Sequence, residues 1–341
     1  MRYRTSLQDI ADKAGLSKAA VSMALRNDPS IGAATRARIR KLARRMNYNP
    51  DPVLARVAAQ RWRRPMKESL ALMALIFHNT FRRAPEEWIV PSRKQAKSLG
   101  YKLEVFEVSD FESPEQLSDV LYSRGVSGVV LGQVYTADFC ERFSLGRFTA
   151  VAAHLGYNRP PLHLVTPDRW NGTFSALEKV HAAGHRRAAV ALLDEPGAID
   201  IKDKLSAALY AKSELFKTGD ALFIEKFRLT QQAEFAAWIR EIRPQAVIGF
   251  NNTIYGWLRK WGFKVPDEIS FVALDSSPNP SIHWDLVVSG VWPQDDLVLK
   301  TAVELLDSQI RTHQTGIPKR QLTVFVDGAW VPGATFIRRK R

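Results

Sequence analysis

The chain has 341 residues, of which 45% are hydrophobic and 25% are charged, a composition typical of a folded globular protein with two or more domains. Its single cysteine, Cys140, excludes an internal disulfide framework and a zinc site built from cysteines. Of the net charge of +14, residues 1–65 carry +11, and residues 66–337 are close to neutral.

This distribution of charge predicts a nucleic-acid-binding module attached to a domain with a different task, because Lys and Arg neutralise phosphates. The sequence contains no apolar run of the ~18 residues that a membrane span needs, and its N-terminus has no apolar stretch typical of a secretory signal. We therefore expect a cytoplasmic protein without a membrane partner.

The basic head has the pattern of short helices. Ser6 is predicted to cap a first helix that ends at Gly15. Ser17 is predicted to cap a second helix, in which Val21 and Leu25 share the buried face. A third helix, rich in Arg and Lys, is expected from about Ala33.

A helix, a glycine turn and a second helix with a basic surround form the pattern of a helix-turn-helix, whose second helix enters the major groove. An ordinary helical hairpin with solvated charges fits the periodicity as well. The charge of the segment favours the DNA-binding interpretation. After this head, Pro52 is expected to open a short apolar helix, Val53–Ala59, which an arginine-rich linker follows.

The rest of the chain alternates strand-like and helix-like segments, which predicts an α/β fold with doubly wound parallel sheets and ligands beyond the carboxyl ends of the strands. The predicted strands are Leu70–Phe77, Lys102–Val108, Gly128–Leu131, Phe148–Ala152, Ala188–Leu193, Ala246–Phe250, Ile269–Leu274 and Gln321–Val326. Predicted helices include Pro114–Arg124, Gly172–Gly184, Gln232–Glu241 and Asp295–Arg311.

Several motifs carry a resemblance to a known family. The head motif comprises Leu7–Ser22, Ala24-Leu25, Thr35-Arg36 and Met46–Pro52, and the later motifs, in chain order, are Gly125–Leu131, Ala183–Arg187, Pro266–Ser270, Leu274-Asp275, Gln294-Asp295 and Gly328–Gly333. Together they resemble the LacI/GalR family of bacterial transcriptional regulators over essentially the whole chain. The head motif is specific, and the order of the weaker motifs supports it.

The resemblance implies an all-α helix-turn-helix head, a hinge helix and a two-lobed effector domain similar to periplasmic binding proteins. It also implies a homodimer on a pseudo-palindromic operator in double-stranded DNA, and hence a nucleoid-associated protein. The expected boundaries are 1–50 for the head, 51–68 for the hinge helix and linker, 69–164 plus 291–320 for the N-terminal lobe, 165–290 plus 321–337 for the C-terminal lobe, and 338–341 for a basic tail.

The resemblance also implies which residues contact DNA. The candidates are Ser6, Leu7, Ser17, Lys18, Ala19, Ser22, Met23, Arg26, Thr35, Tyr48, Leu54 and Val57. Met23 stands where the family often has an arginine, and methionine cannot make the bidentate contact with guanine that arginine makes. We hypothesise that Lys18 and Arg26 read bases instead. Arg26 acting only on phosphate is the alternative.

The hinge departs from the family in a second way. Val57 stands where the family usually has a leucine wedge that opens a base step in the minor groove. A shorter wedge should unstack the bases less, or Leu54 should share that task. Packing of this apolar stripe against the partner's hinge helix is an equally good interpretation.

The candidates for the effector site are His78, Asn79, Asp168, Lys204, Asn251 and Asp275. Asp275 matches the family position whose carboxylate binds sugar hydroxyls, and Lys204 replaces the usual arginine. Aromatic side chains that could stack on a sugar are Trp88, Trp170, Phe250, Tyr255, Trp257 and Trp292. Core packing is the more frequent role for each of them.

No catalytic constellation, dinucleotide fingerprint or phosphate loop is evident, and His181 and His185 make only a weak metal pair. We therefore expect neither catalytic residues nor a metal or cofactor. The predicted function is a DNA-binding regulator, a repressor, whose operator affinity responds to a small effector, a sugar, bound between the lobes. A cytosolic sugar-binding protein or a sugar enzyme on a doubly wound fold is the alternative.

Overall fold

The computed structural model describes residues 7–25, 31–46, 48, 70–77, 86–132, 137–154, 161–195, 201–279 and 285–339. The side chains of Ala19 and Asn251 lie outside this description, as do the hinge residues Leu54 and Val57. None of the described helices is long and apolar enough to cross a membrane.

Three helices form the basic head, namely α1 (Leu7–Ala14), α2 (Lys18–Leu25) and α3 (Ala33–Arg45). Gly15 follows α1 with a φ of +66°, a left-handed conformation that glycine adopts without strain and that allows the tight turn into α2. Ile10, Val21 and Ile39, one from each helix, are fully buried against each other. The predicted helices of the head are therefore confirmed.

The first lobe is built on a six-stranded sheet in which every pair of neighbouring strands is parallel. In spatial order its strands are β11 (Thr323–Val326), β5 (His163–Pro167), β4 (Thr149–Ala153), β3 (Val126–Leu131), β1 (Ala71–Phe77) and β2 (Tyr101–Glu107). Helices α4 (Glu86–Ser98) and α11 (Asp295–Arg311) cover one face, and α5 (Pro114–Ser123) and α6 (Ala137–Arg142) cover the other.

The second lobe repeats this plan with a second six-stranded sheet. In spatial order its strands are β12 (Ala329–Val331), β10 (Gly290–Trp292), β9 (Ser270–Ala273), β8 (Ala246–Gly249), β6 (Arg187–Leu193) and β7 (Ala221–Phe227). Only β12 runs antiparallel to its neighbour. Helices α7 (Arg169–Ala182) and α8 (Ile201–Glu214) cover one face, and α9 (Gln232–Ile242) and α10 (Asn251–Lys260) cover the other.

The residue pattern explains these layers. All residues of β8 and β9 are buried, as expected of central parallel strands with helices on both faces. In α11, Val298, Ala302, Leu306 and Ile310 recur at helical spacing and are buried against the first sheet. The predicted doubly wound α/β architecture is therefore confirmed.

Within the part of the chain that the structure describes, the backbone crosses between the lobes three times, at residues 167–169, 292–295 and 326–329. These crossings differ from the expected boundaries. The segment 321–326 was expected in the C-terminal lobe, but Thr323–Val326 pairs in register with Leu164–Pro167 at the edge of the first sheet. Only the residues after this strand return to the second lobe.

The sequence pattern missed four strands, namely β5, β7, β10 and β12. β10 and β12 have only three residues each, and β5 ends in a proline. β7 lies at a sheet edge and exposes Glu225 and Lys226, so it lacks the apolar run of the central strands.

Candidate functional site

A cavity of about 250 Å³ lies between the two lobes. All three crossings reach it, through Pro167, Pro293 and Gly328. Phe250 and Leu274, which directly follow β8 and β9, also line it. The cavity therefore occupies the predicted position beyond the carboxyl ends of the strands.

The structure brings three of the six effector-site candidates together in this cavity. Asp168 caps α7 by accepting a hydrogen bond of 2.8 Å from the backbone N–H of Asn171. Lys204 is buried in α8, with Nζ 5.6 Å from the ring centroid of Phe250. Asp275 follows β9 on the wall of the second lobe.

The other three candidates stay predictions. His78 and Asn79 lie outside the described residues. Asn251 is the first residue of α10 and directly follows Phe250, but its side chain is not among those described.

The aromatic candidates divide between the cavity and other places. Trp88 and Phe250 line the cavity. Trp170 instead stacks on Phe174, with ring centroids 5.5 Å apart, on the outer surface of α7. Tyr255 and Trp257 are buried in the core of the second lobe, and Trp292 is the last residue of β10. None of these three residues lines the cavity.

Sequence reasoning missed Arg169, His154 and Asp295. Arg169 lines the cavity and donates a hydrogen bond of 2.9 Å to the hydroxyl of Thr166. Asp295 begins α11, and its Oδ1 lies 3.3 Å from Nδ1 of the fully buried His154. In the sequence, Asp295 is the first residue of the predicted helix Asp295–Arg311, where an acidic side chain is an ordinary partner for the helix dipole, and nothing there indicates that the helix begins at a cavity wall.

Burial makes Asp295 and His154 unusual. It raises the pKa of Asp295 to about 7, aided by the carboxylates of Asp275, Asp296 and Glu87 and opposed by Arg169. Burial, aided by Arg169, also lowers the pKa of His154 to about 3. The wall of the first lobe therefore carries a neutral imidazole beside a carboxyl group that titrates near neutrality.

In the head, the described DNA-contact candidates lie along and around α2. Ser17 caps α2 by accepting a hydrogen bond of 3.1 Å from the backbone N–H of Ala20, and Lys18 is exposed at the first position of the helix. Four further DNA-contact candidates are partly buried, namely Leu7, Ser22, Met23 and Thr35. Ser6 and Arg26 lie outside the described residues.

The DNA-contact candidate Tyr48 lies at the end of the head, next to the first lobe. Its side chain is buried in the core of the head, and its carbonyl oxygen accepts a hydrogen bond of 2.6 Å from the hydroxyl of Tyr122. Tyr122 belongs to α5, so this bond joins the end of the head to the first lobe. A DNA contact by Tyr48 stays a prediction.

The two histidines weighed as a metal pair have other partners. His181 contacts Asp220 at 2.8 Å, and His185 lies 2.9 Å from the carbonyl oxygen of Ile337. Among the described residues there is no group of three His, Cys, Asp or Glu side chains arranged to hold a metal ion.

Residues 6–51 match the sequence profile of the bacterial regulatory proteins of the lacI family. The helix-turn-helix head is therefore similar to that of the lacI family of bacterial regulatory proteins. The HTH-type transcriptional regulator DegA of Bacillus subtilis (strain 168) is 22% identical over 291 residues, which cover 80% of this chain and 82% of DegA.

Solved structures share the fold of this protein. The Lac repressor dimer bound to operator and the anti-inducer ONPF is 18% identical, with a TM-score of 0.58 over 98% of this chain and 100% of that chain. The CelR–cellobiose complex, a transcriptional regulator, is 17% identical, with a TM-score of 0.59 over 98% and 100% of the two chains. The match of the head and the shared fold together indicate a DNA-binding transcriptional regulator with a two-lobed, periplasmic-binding-protein-like domain.

Proposed function

We propose that this regulator is a repressor, not an enzyme, that acts in the bacterial cytoplasm. It binds a pseudo-palindromic operator as a homodimer, and a small sugar in the interlobe cavity controls its affinity for DNA. Residues 51–68 form the hinge. The observation that carries the proposal is the meeting of Asp168, Lys204 and Asp275 in one cavity between two lobes.

The chemistry of the cavity supports a sugar. A carboxylate such as that of Asp275 can accept hydrogen bonds from two neighbouring hydroxyls, which fixes orientation as well as affinity. Trp88 and Phe250 offer aromatic faces for the apolar side of a sugar ring. The volume of about 250 Å³ limits the effector to a small molecule. The cellobiose complex of a protein with the same fold is consistent with this assignment.

The position of the cavity supports control of DNA binding. All three crossings line it, so a ligand there contacts the segments about which the lobes can move. A ligand changes DNA affinity only if it binds one arrangement of the lobes more tightly than the other. The head is attached to the first lobe, so a movement of that lobe moves the head.

DNA binding is tested by selecting sequences from a random pool and titrating salt against the selected duplex. We expect a sequence-preferring complex whose affinity falls steeply as salt rises, because bound cations leave the phosphates. Lys18→Ala should change the selected sequence as well as the affinity, since Lys18 is exposed at the start of α2.

Lys13→Ala is the matched control for Lys18→Ala, because it removes one exposed positive charge from α1. It should weaken binding to selected and random duplexes alike. A wild-type protein that does not prefer any duplex over random DNA would contradict the proposed function.

The effector is tested by thermal shift with mono- and disaccharides, followed by DNA binding with the sugars that stabilise the protein. We expect at least one sugar to raise the melting temperature and to change operator affinity, and Asp275→Asn to reduce both effects. A purine that shifts the melting temperature where every sugar fails would refute the sugar assignment.

A further inference from the structure

The wall that the first lobe contributes to the cavity combines a carboxyl group with a buried imidazole. Its polar centre is Asp295, at the start of α11. Oδ1 of Asp295 lies 3.3 Å from Nδ1 of His154, and the His154 ring stacks on Trp88 with centroids 5.7 Å apart. His154 is completely buried, and neither of its ring nitrogens has a hydrogen-bond partner among the described residues.

The groups around Asp295 disfavour its ionised form. The carboxylates of Asp275 after β9, Asp296 on α11 and Glu87 on α4 raise its pKa, and Arg169 at the start of α7 lowers it. His154 supplies no positive charge, because burial keeps its imidazole neutral. Burial is the largest cause that raises the pKa of Asp295 to about 7, and these carboxylates add to it.

We propose that Asp295 determines the specificity of the cavity: it meets the effector as a neutral carboxylic acid that donates a hydrogen bond, and it thereby selects an uncharged effector over charged analogues of the same size. This inference rests on the proposed function, because it assigns the class of effector that the same cavity binds.

The two sides of the cavity explain the selection. A hydroxyl group can accept a hydrogen bond from Asp295 and donate one to Asp275, so a neutral polyhydroxylated molecule bridges the lobes. An anionic effector would face the carboxylates of Asp168 and Asp275 in a partly dehydrated space. A cationic effector would face Arg169 and Lys204 there. A charged analogue therefore meets like charges as well as opposite ones, and it must also lose the hydration of its charge, a cost that the neutral analogue avoids.

Proton uptake follows from the same geometry. A bound neutral effector displaces water from Asp295 and favours the protonated carboxyl further. At about pH 8, where the free protein has largely lost this proton, the affinity for a neutral effector should be about tenfold lower than at about pH 6. Asp295→Asn, which is always neutral and still donates a hydrogen bond, should bind with little dependence on pH.

The first measurement needs no effector. In the full-length protein labelled with ¹³C at the aspartate carboxyl carbons, the resonance missing from the spectrum of Asp295→Asn belongs to Asp295. We expect it to titrate with a midpoint near 7, as the pKa of about 7 requires. A midpoint near the ordinary value of about 3.9 would overturn the inference, because Asp295 would then face the effector as a carboxylate.

The second measurement compares matched probes by thermal shift and calorimetry at about pH 6 and about pH 8. D-Glucose and D-galactose are each compared with the corresponding uronate and 2-amino-2-deoxy sugar. We expect the neutral sugar of a binding set to be preferred, and Asp295→Asn to abolish the pH dependence. Asp307→Asn is the control, because it makes the same change on α11 beside Arg311 and away from the cavity.

A uronate or an amino sugar that binds more tightly than its neutral counterpart would overturn the inference. Loss of the pH dependence in Asp307→Asn as well as in Asp295→Asn would also overturn it. Failure of every sugar would contradict only the sugar assignment of the proposed function, because the NMR midpoint still decides the state of Asp295.

Discussion

The pair formed by Asp295 and His154 gives two opposite contributions to the dependence of stability on pH. The folded protein holds the Asp295 proton up to about pH 7, whereas the ordinary value is 3.8, so this residue makes stability fall as pH rises across that window. His154 stays neutral in the folded protein down to about pH 3, whereas the ordinary value is 6.5, so it makes stability rise with pH. Between pH 3.8 and 6.5 the two contributions oppose each other.

Asp295→Asn should therefore steepen the rise of unfolding free energy with pH in that window, by about 1 kcal/mol per pH unit relative to the wild type. Urea unfolding at several pH values measures the difference. His154→Gln is the complementary control, because it removes the opposite contribution and should make stability fall with pH. Parallel curves for the wild type and Asp295→Asn would show that Asp295 titrates in the same range when folded and unfolded.

A site residue could be predicted from the sequence where a local motif identifies it. It could not be predicted where its role depends on contacts that form only in the tertiary fold. Asp168, Lys204 and Asp275 each follow or belong to a recognisable segment, and the structure places all three in the cavity. Asp295 was visible as an acidic residue at a helix start, but its importance depends on burial between lobes that its local sequence does not encode. The role of His154 could not be predicted for the same reason, because the residues that it contacts belong to α4, α7 and α11.

At the scale of elements, the start of α2 depends on one hydroxyl group. Ser17 accepts the backbone N–H of Ala20 at 3.1 Å, and loss of such a cap costs about 1 kcal/mol. Ser17→Ala should lower the stability of the head by that amount, measured by chemical unfolding. Ser17→Asp preserves the cap and should restore stability, yet it should weaken DNA binding through repulsion of phosphate. Equal DNA affinity in Ser17→Asp and the wild type would place Ser17 away from the phosphates.

The pairing of β9 with β10 requires a glycine at position 290, because there is no room for a side chain there. A Cβ at Gly290 would overlap the backbone of Ala273, which cannot move aside as a flexible side chain can. Gly290→Ala should therefore destabilise the second lobe by about 1–3 kcal/mol. Gly146→Ala is the control, because a Cβ there meets nothing within 4 Å. Equal unfolding midpoints for the two variants would show that the strands separate without cost.

The strands could be predicted from the sequence where both of their faces are buried. Central strands such as β1, β3, β8 and β9 were readable because both faces are covered and their residues are nearly all apolar. The edge strand β7 and the short strand β12 could not be predicted, because they are strands through their pairing with neighbouring strands rather than through a pattern in their own residues. The same reason explains the misplaced boundary near residue 321, since β11 belongs to the first sheet only through its ladder with β5.

At the scale of the whole molecule, the head and the body are joined by more than the chain. The Tyr122 hydroxyl donates a hydrogen bond to the carbonyl oxygen of Tyr48, and Arg147 lies over the Tyr122 ring, 5.4 Å from its centroid. Arg147 also forms a salt bridge of 2.5 Å with Asp119, which lies on α5 as Tyr122 does. The end of the head therefore rests on a side chain that the first lobe holds in place.

Tyr122→Phe keeps the ring and its contact with Arg147 but removes the hydrogen bond to the head. A net loss of about 1 kcal/mol corresponds to about fivefold more frequent detachment of the head from the first lobe. Amide hydrogen exchange in α3 and α5 of the full-length protein should rise accordingly, and the effect of a bound effector on DNA affinity should shrink. Tyr210→Phe, the same change on the exposed surface of the second lobe, is the control. Unchanged exchange in Tyr122→Phe would mean that the covalent hinge alone connects the effector cavity with DNA.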